Sequence, residues 1–234
     1  MYRKTSGGTY ARIANIKHGN VTSYIDRTAK AGISYTYTVR AYSGTSMSGW
    51  RNPGTILRLA DPTVQSALNA TGGTQIKWSH SAGAGGYIVY RRNKGGTWKR
   101  IAYINGQNVL SYIDKSAKAG VTYDYTVRAF KGSLLSDLHN YKTIRLLNNQ
   151  TLKSVTTSRY GINIRWNKSP YATGYIIYRK TGKGSWTRIA KINNASATGF
   201  TDTTAAKGVK YTYTIRSYSG SYLSYWNSVR SAVR

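Results

Sequence analysis

The sequence predicts an all-β protein built as a tandem of two-sheet β-sandwiches. Three observations carry this: a fixed long repeat, a composition rich in Tyr and Gly, and short alternating apolar runs cut by turns. Tyr2-Arg3-Lys4, Tyr90-Arg91-Arg92 and Tyr178-Arg179-Lys180 are spaced by 88 residues. Asp26, Asp114 and Asp202 keep the same register, as do Tyr35, Tyr123 and Tyr211, and Arg40, Arg128 and Arg216. A repeat of that length is a domain rather than a solenoid turn. It divides the chain into residues 1–58, 59–146 and 147–234, two full units preceded by a short one.

Within a unit, 22 Tyr and 24 Gly against three Pro favour strands and tight turns over helices. In the second unit Ile76 and Trp78, then Tyr87 and Val89, then Tyr123, Tyr125, Val127 and Ala129 alternate with a period of two, the mark of half-buried strands. Turn signals separate them at Gly72-Gly73, Ala84-Gly85-Gly86, Asn93-Lys94-Gly95-Gly96, Asn105-Gly106, Ala119-Gly120 and Lys131-Gly132. About seven strands per unit fit a sandwich of two sheets.

Trp78 in Gln75-Ile76-Lys77-Trp78 and Trp166 in Asn163-Ile164-Arg165-Trp166 each end a second strand. Gly86-Tyr87-Ile88-Val89-Tyr90-Arg91 and Gly174-Tyr175-Ile176-Ile177-Tyr178-Arg179 follow as third strands, and runs from Gly32, Gly120 and Gly208 supply the sixth. In this order and spacing the chain resembles tandem fibronectin type III domains of the kind found in extracellular proteins of Gram-positive, clostridial-type bacteria. The resemblance implies an immunoglobulin-like sandwich in each unit. It also implies that Tyr35, Tyr123 and Tyr211 are corner tyrosines, each hydroxyl bonding nearby backbone, and that the segment is extracellular or at the cell surface.

The first unit lacks its two N-terminal strands and their core Trp. Its missing strands are expected to leave an apolar face and an open sheet edge. Two readings stay open: a fragment of a longer repeat protein, or strand exchange with another chain.

Charge is the second strong signal. The chain has 35 Lys and Arg against six acids, all Asp, for a formal charge of +29. Salt bridges cannot neutralise such an excess, so polyanions are the expected partners: an anionic polysaccharide or cell-wall polymer such as teichoic acid, or nucleic acid. No apolar stretch approaches the roughly 18 residues of a membrane span, and Met1 to Ala11 has no apolar signal core, so any secretion signal is expected to lie outside this chain or not to exist. With no cysteine, there is neither a disulfide framework nor a thiolate metal site.

The register tests for chemistry. His18, His80 and His139 do not recur at 88-residue intervals, so they read as solvated loop residues rather than metal or catalytic ligands. Asp26, Asp114 and Asp202 do recur, at strand ends, where they are expected to bond turn backbone. No carboxylate pair, nucleophile elbow, phosphate loop or zinc spacing is evident. No enzymatic activity and no cofactor are expected.

Binding is expected on one sheet face. Alternation turns Tyr35, Tyr37, Val39 and Ala41 inward and Thr36, Thr38, Arg40 and Tyr42 outward, with Asp124, Thr126, Arg128 and Phe130 outward in the second unit. The candidate anion- and glycan-binding residues are Lys4, Arg40, Tyr42, Tyr90, Arg92, Arg128, Tyr178, Lys180, Arg216 and Tyr218. Cations interleaved with rings suit the gripping of phosphate or sulfate beside stacked sugars or bases. The same Tyr, Thr and Arg pairs also stabilise an exposed sheet without any ligand. The expected role is a non-enzymatic adhesive spacer, with a passive stalk or a nucleic-acid binder as alternatives.

Overall fold

A computed structural model describes residues 1–234, apart from the side chain of Asn52. The chain is all-β, with no helix among the described residues. Between residues 64 and 145 a three-stranded sheet has the order Ser111–Asp114, Gly73–Trp78, Val64–Ala70. Facing it, Lys99–Asn105, Gly86–Asn93 and the long strand Thr122–Lys131 form a second sheet, completed by Leu134–Leu135 and Lys142–Arg145, which both pair with the long strand. All pairings are antiparallel.

Between residues 152 and 233 the arrangement recurs. Leu152–Ser158, Gly161–Trp166 and Gly199–Asp202 make the small sheet, and Thr187–Ile192, Gly174–Thr181 and Lys210–Ser219 the large one, extended by Tyr222–Leu223 and Arg230–Val233. Each pair of sheets encloses its own core. Trp78, Tyr87, Val89, Tyr125 and Val127 fill one, and Trp166, Tyr175, Ile177, Tyr213 and Ile215 fill the other, at the same register positions. Burying an aromatic ring of this size stabilises by several kcal/mol, since truncation of a core Phe or Trp to Ala costs about 3–5 kcal/mol. The corner tyrosines take the predicted role: the hydroxyls of Tyr35, Tyr123 and Tyr211 accept from the backbone N–H of Lys30, Lys118 and Ala206, each at 3.2 Å.

Residues 2–57 form one sheet only, ordered Ala11–Arg12, Tyr2–Thr5, Ser34–Val39, Arg51–Leu57, with a small hairpin of Tyr42–Ser43 and Ser46–Met47. Alternation places Val39 in a core, yet it is 56% exposed, whereas its counterparts Val127 and Ile215 are fully buried. No second sheet faces it among the described residues, so Val39 and Ile56 stay exposed, while the segment around Asp26 and Ala29 covers Tyr35.

Alternation fails in a different way on the outer face. Asp124, Thr126 and Phe130 point away from the core but are buried. Thr126 donates to the carbonyl of Asn140 at 2.6 Å, and Asp124 accepts from Thr143 at 2.7 Å, so the returning segment covers the strand. Phe130 lies opposite Gly86 across the sheet, and a Cβ on Gly86 would stand 2.7 Å from its ring. Tyr218 and Gly174 repeat that pair, with 2.6 Å between such a Cβ and the Tyr hydroxyl. An aromatic ring laid over a cross-strand glycine fills the space that a side chain would otherwise take.

The repeats meet at similar joints. Gly32, with φ of 80°, packs against Ala82, and Gly83 approaches the Cα of Gly32. One repeat later, Gly120 packs under the ring of Tyr171, which stands at the register position of Gly83. Tyr171 has φ of 66°, the left-handed region that Gly83 also occupies at 84°. Asn69 adds a direct link by donating to the carbonyls of Arg145 and Leu223, the latter at 2.9 Å.

Candidate functional site: cation and aromatic clusters on the outer sheet face

Two kinds of charged cluster recur, and they differ in purpose. The first is internal. Asp114 is nearly fully buried and accepts four hydrogen bonds: from the backbone N–H and hydroxyl of Ser116 at 2.9 and 2.7 Å, from Arg91 at 2.7 Å and from the Tyr125 hydroxyl at 2.8 Å. Asp202 repeats this set with Thr204, Arg179 and Tyr213, and Asp26 with Thr28, Arg3 and Tyr37. The expected bond to turn backbone is present, but it is one of four. Arg and Tyr on the large sheet, reaching across to the same carboxylate, complete it.

Burial pushes each of these carboxyl groups up, yet the hydroxyl, backbone and guanidinium donors outweigh it and hold all three below the ordinary Asp value. Burial and the adjacent carboxylate push the Tyr125 and Tyr213 hydroxyls up, so they stay protonated as donors. With every oxygen used internally, these groups are structural. Together with Arg92–Asp124, they are the four ion pairs among the described residues, against 35 cationic side chains in the chain.

The second kind lies on the outer face. In the third repeat Trp226 is its centre: Tyr178 meets it edge-on at 4.7 Å, Trp186 lies near-parallel at 6.2 Å, and the Arg216 guanidinium sits 4.7 Å from its ring. Lys180 stands 5.1 Å over Trp186. The first repeat has the same plan around Trp50, with Tyr2 edge-on at 4.9 Å, Tyr10 stacked at 4.9 Å, Arg40 at 4.9 Å, and Lys4 over Tyr10 at 4.9 Å. Cations over indole or phenol faces are held by the ring quadrupole, by about 0.5–1 kcal/mol at exposed sites.

The predicted residues divide accordingly. Lys4, Arg40, Tyr178, Lys180 and Arg216 are brought together with rings. Arg40, Arg128 and Arg216 also donate through Nε to the backbone carbonyls of Ser48, Ser136 and Ser224, so each is partly a brace for its hairpin. Burial pulls the Arg216 guanidinium below its usual value, with Tyr178 opposing. Arg92 lies 4.3 Å from Trp98 and 5.2 Å from Tyr141. Tyr90 is half-buried, opposite Thr126 and Arg100. Tyr42 is exposed in its hairpin, opposite Met47. Tyr218 does not join the exposed group: it is buried over Gly174, bonded to Asn193 and roofed by Lys191.

Trp50, Trp226, Tyr10 and Trp186 were outside the predicted set. The signal was in the register, since position 10 recurs as Trp98 and Trp186, and position 50 as Leu138 and Trp226. His18, His80 and His139 are all exposed, His18 in the first repeat and the other two in the second. No helix among the described residues is long and apolar enough to cross a membrane.

Two facing antiparallel sheets, a Trp at the end of the second strand and a corner Tyr in the sixth define β-sandwiches of the immunoglobulin-like class. More narrowly, their order and spacing resemble a tandem of fibronectin type III domains. No family model matches it. Exoglucanase B of Cellulomonas fimi is 25% identical over 247 residues, covering 92% of this chain, and the chain spans only 21% of that protein. Among solved structures, the FN1-FN3 domains of chicken CNTN1 are 16% identical with a TM-score of 0.39, covering 99% of this chain and 89% of that one. A two-domain fibronectin type III segment of chicken tenascin is 17% identical with a TM-score of 0.37, covering 75% and 99%. An Fn3-like protein from Clostridium thermocellum is 32% identical with a TM-score of 0.31, covering 35% of this chain and 84% of that one.

Proposed function

We propose that the chain is a non-enzymatic spacer, extracellular or at the cell surface, whose outer sheet faces engage an anionic polysaccharide or cell-wall polymer. The observation that carries this reading is the cluster of Lys and Arg over aromatic rings, formed on the same face around Trp50 and Trp226. A sugar ring offers C–H faces to an indole while a sulfate or phosphate group meets the cation, so the two residue types address the two parts of one ligand. The resemblance to an exoglucanase supports a carbohydrate context. The spacer component rests on the division into domains 1–58, 59–146 and 147–234, and on the short joints at Gly32 and Gly120.

The test is retention on immobilised heparin and on teichoic acid as salt is raised, with double-stranded DNA as the comparison. Lys4→Gln with Lys180→Gln is expected to lower the eluting salt concentration on the polysaccharides, because each neutralised contact releases counterions. Equal loss on DNA would indicate unselective polyanion binding. No retention at low salt would leave a passive stalk.

A further inference from the structure

We propose that the three repeats divide the binding unequally: the first and third carry open ligand platforms, and the second is closed by its own side chains. This rests on the binding reading above and adds which repeats act. The platform centres are Trp50 and Trp226, and the register places Leu138 between them, so the second repeat lacks the central ring.

Its cation is also spent. Arg92, the counterpart of Lys4 and Lys180, lies against both Trp98 and Tyr141, whose rings meet edge-on at 6.1 Å, and forms an ion pair with Asp124 at 2.9 Å. A cation laid on two touching rings and neutralised by a carboxylate covers the faces and uses the charge that a ligand would need. Asp124 has no acidic counterpart. Thr36 and Thr212 stand at its position and bond only their cross-strand neighbours Thr55 and Ser231, at 2.8 and 2.9 Å. Lys4 and Lys180 therefore keep their charge for a partner, and neither forms an ion pair among the described residues. The occupant that fits is an anionic polysaccharide. Charge complementarity selects it, and so does the near-parallel pair of rings at each platform, 20° apart in the first repeat and 23° in the third.

Two platforms on one chain bind a long polymer by avidity, whereas a short oligosaccharide reads them singly. The experiment titrates the full chain with a heparin hexasaccharide by calorimetry. Two equivalents are expected for the unaltered chain. Trp50→Ala with Trp226→Ala is expected to weaken binding at least tenfold, with circular dichroism confirming that the sheets remain. Asp124→Thr with Leu138→Trp, which gives the second repeat the residues of its neighbours, is expected to raise the count to three.

Three equivalents in the unaltered chain, or no third site in the grafted chain, would overturn the division while leaving the binding reading intact. Full affinity in the double Trp variant would overturn the platforms and reduce the interaction to bulk charge. No binding by the unaltered chain would remove the reading and the division together.

Discussion

Replacing Asp114 by Ala tests whether the buried carboxylate network holds the second core together. Four donors converge on this group, and the change leaves the fully buried Tyr125 hydroxyl without its acceptor and the Arg91 guanidinium with the Ser116 hydroxyl in place of its carboxylate. Removing one partner of a buried pair costs about 3–5 kcal/mol. Arg91 retains some access to water, which moderates its part of the loss, while the orphaned hydroxyl adds about 1–3 kcal/mol. The expected total is about 4 kcal/mol. Native-state hydrogen exchange on the full chain measures it locally: protection across Thr122–Lys131 should fall, while Lys210–Ser219, built around the intact Asp202, serves as the internal reference. Asp124→Thr is the contrasting change: this buried carboxylate accepts from Arg92 and Thr143 alone, and Thr stands naturally at that position in both other repeats, so the change should cost less than Asp114→Ala. A loss below about 1 kcal/mol for Asp114→Ala, or one no greater than for Asp124→Thr, would refute the account of the network.

Other expectations follow from the same geometry. Because Asp26, Asp114 and Asp202 have depressed folded-state values, their stabilisation is full above the unfolded carboxylate range near pH 4 and is lost as pH falls through the folded values. The raised Tyr125 and Tyr213 contribute below about pH 10 and lose that contribution as pH climbs toward their folded values. Urea unfolding across pH should show both limbs, and Asp202→Asn should flatten the acid one. The strand Ser34–Val39 should exchange its amides at least tenfold faster than Thr122–Lys131, since Val39 and Ile56 have no facing sheet; equal protection measured by mass spectrometry would contradict this. Gly120→Ala, which combines φ of 81° with a Cβ 2.5 Å from the Tyr171 ring, should cost about 1–2 kcal/mol and speed protease cleavage between residues 146 and 152.

The sequence made much of this architecture legible, because sandwich cores depend on short-range pattern. Trp78, Trp166 and the Tyr123-to-Ala129 alternation define which side is inward, and the core clusters follow them. Outward positions were harder to read. Alternation reports only direction, whereas the burial of Phe130 and Tyr218 depends on Gly86 and Gly174 across the sheet, and that of Asp124 on the segment returning over it. Trp226 lies outside any strand, so alternation assigns it no face, and Trp50 immediately precedes the strand Arg51–Leu57. Their role becomes visible only when hairpins bring them beside Tyr178 and Tyr2.

The two joints between repeats share a backbone shape but not a side chain. At the first, Gly83 adopts its left-handed angle at no cost and meets Gly32 backbone to backbone. At the second, Tyr171 adopts a similar angle against the steric preference of an L-residue, about 1–2 kcal/mol, and its ring rests on Gly120. One hinge is therefore compliant and the other is braced by an aromatic strut. Under a bending load the chain would yield first between its first and second repeats, while the second and third would move together as a single lever.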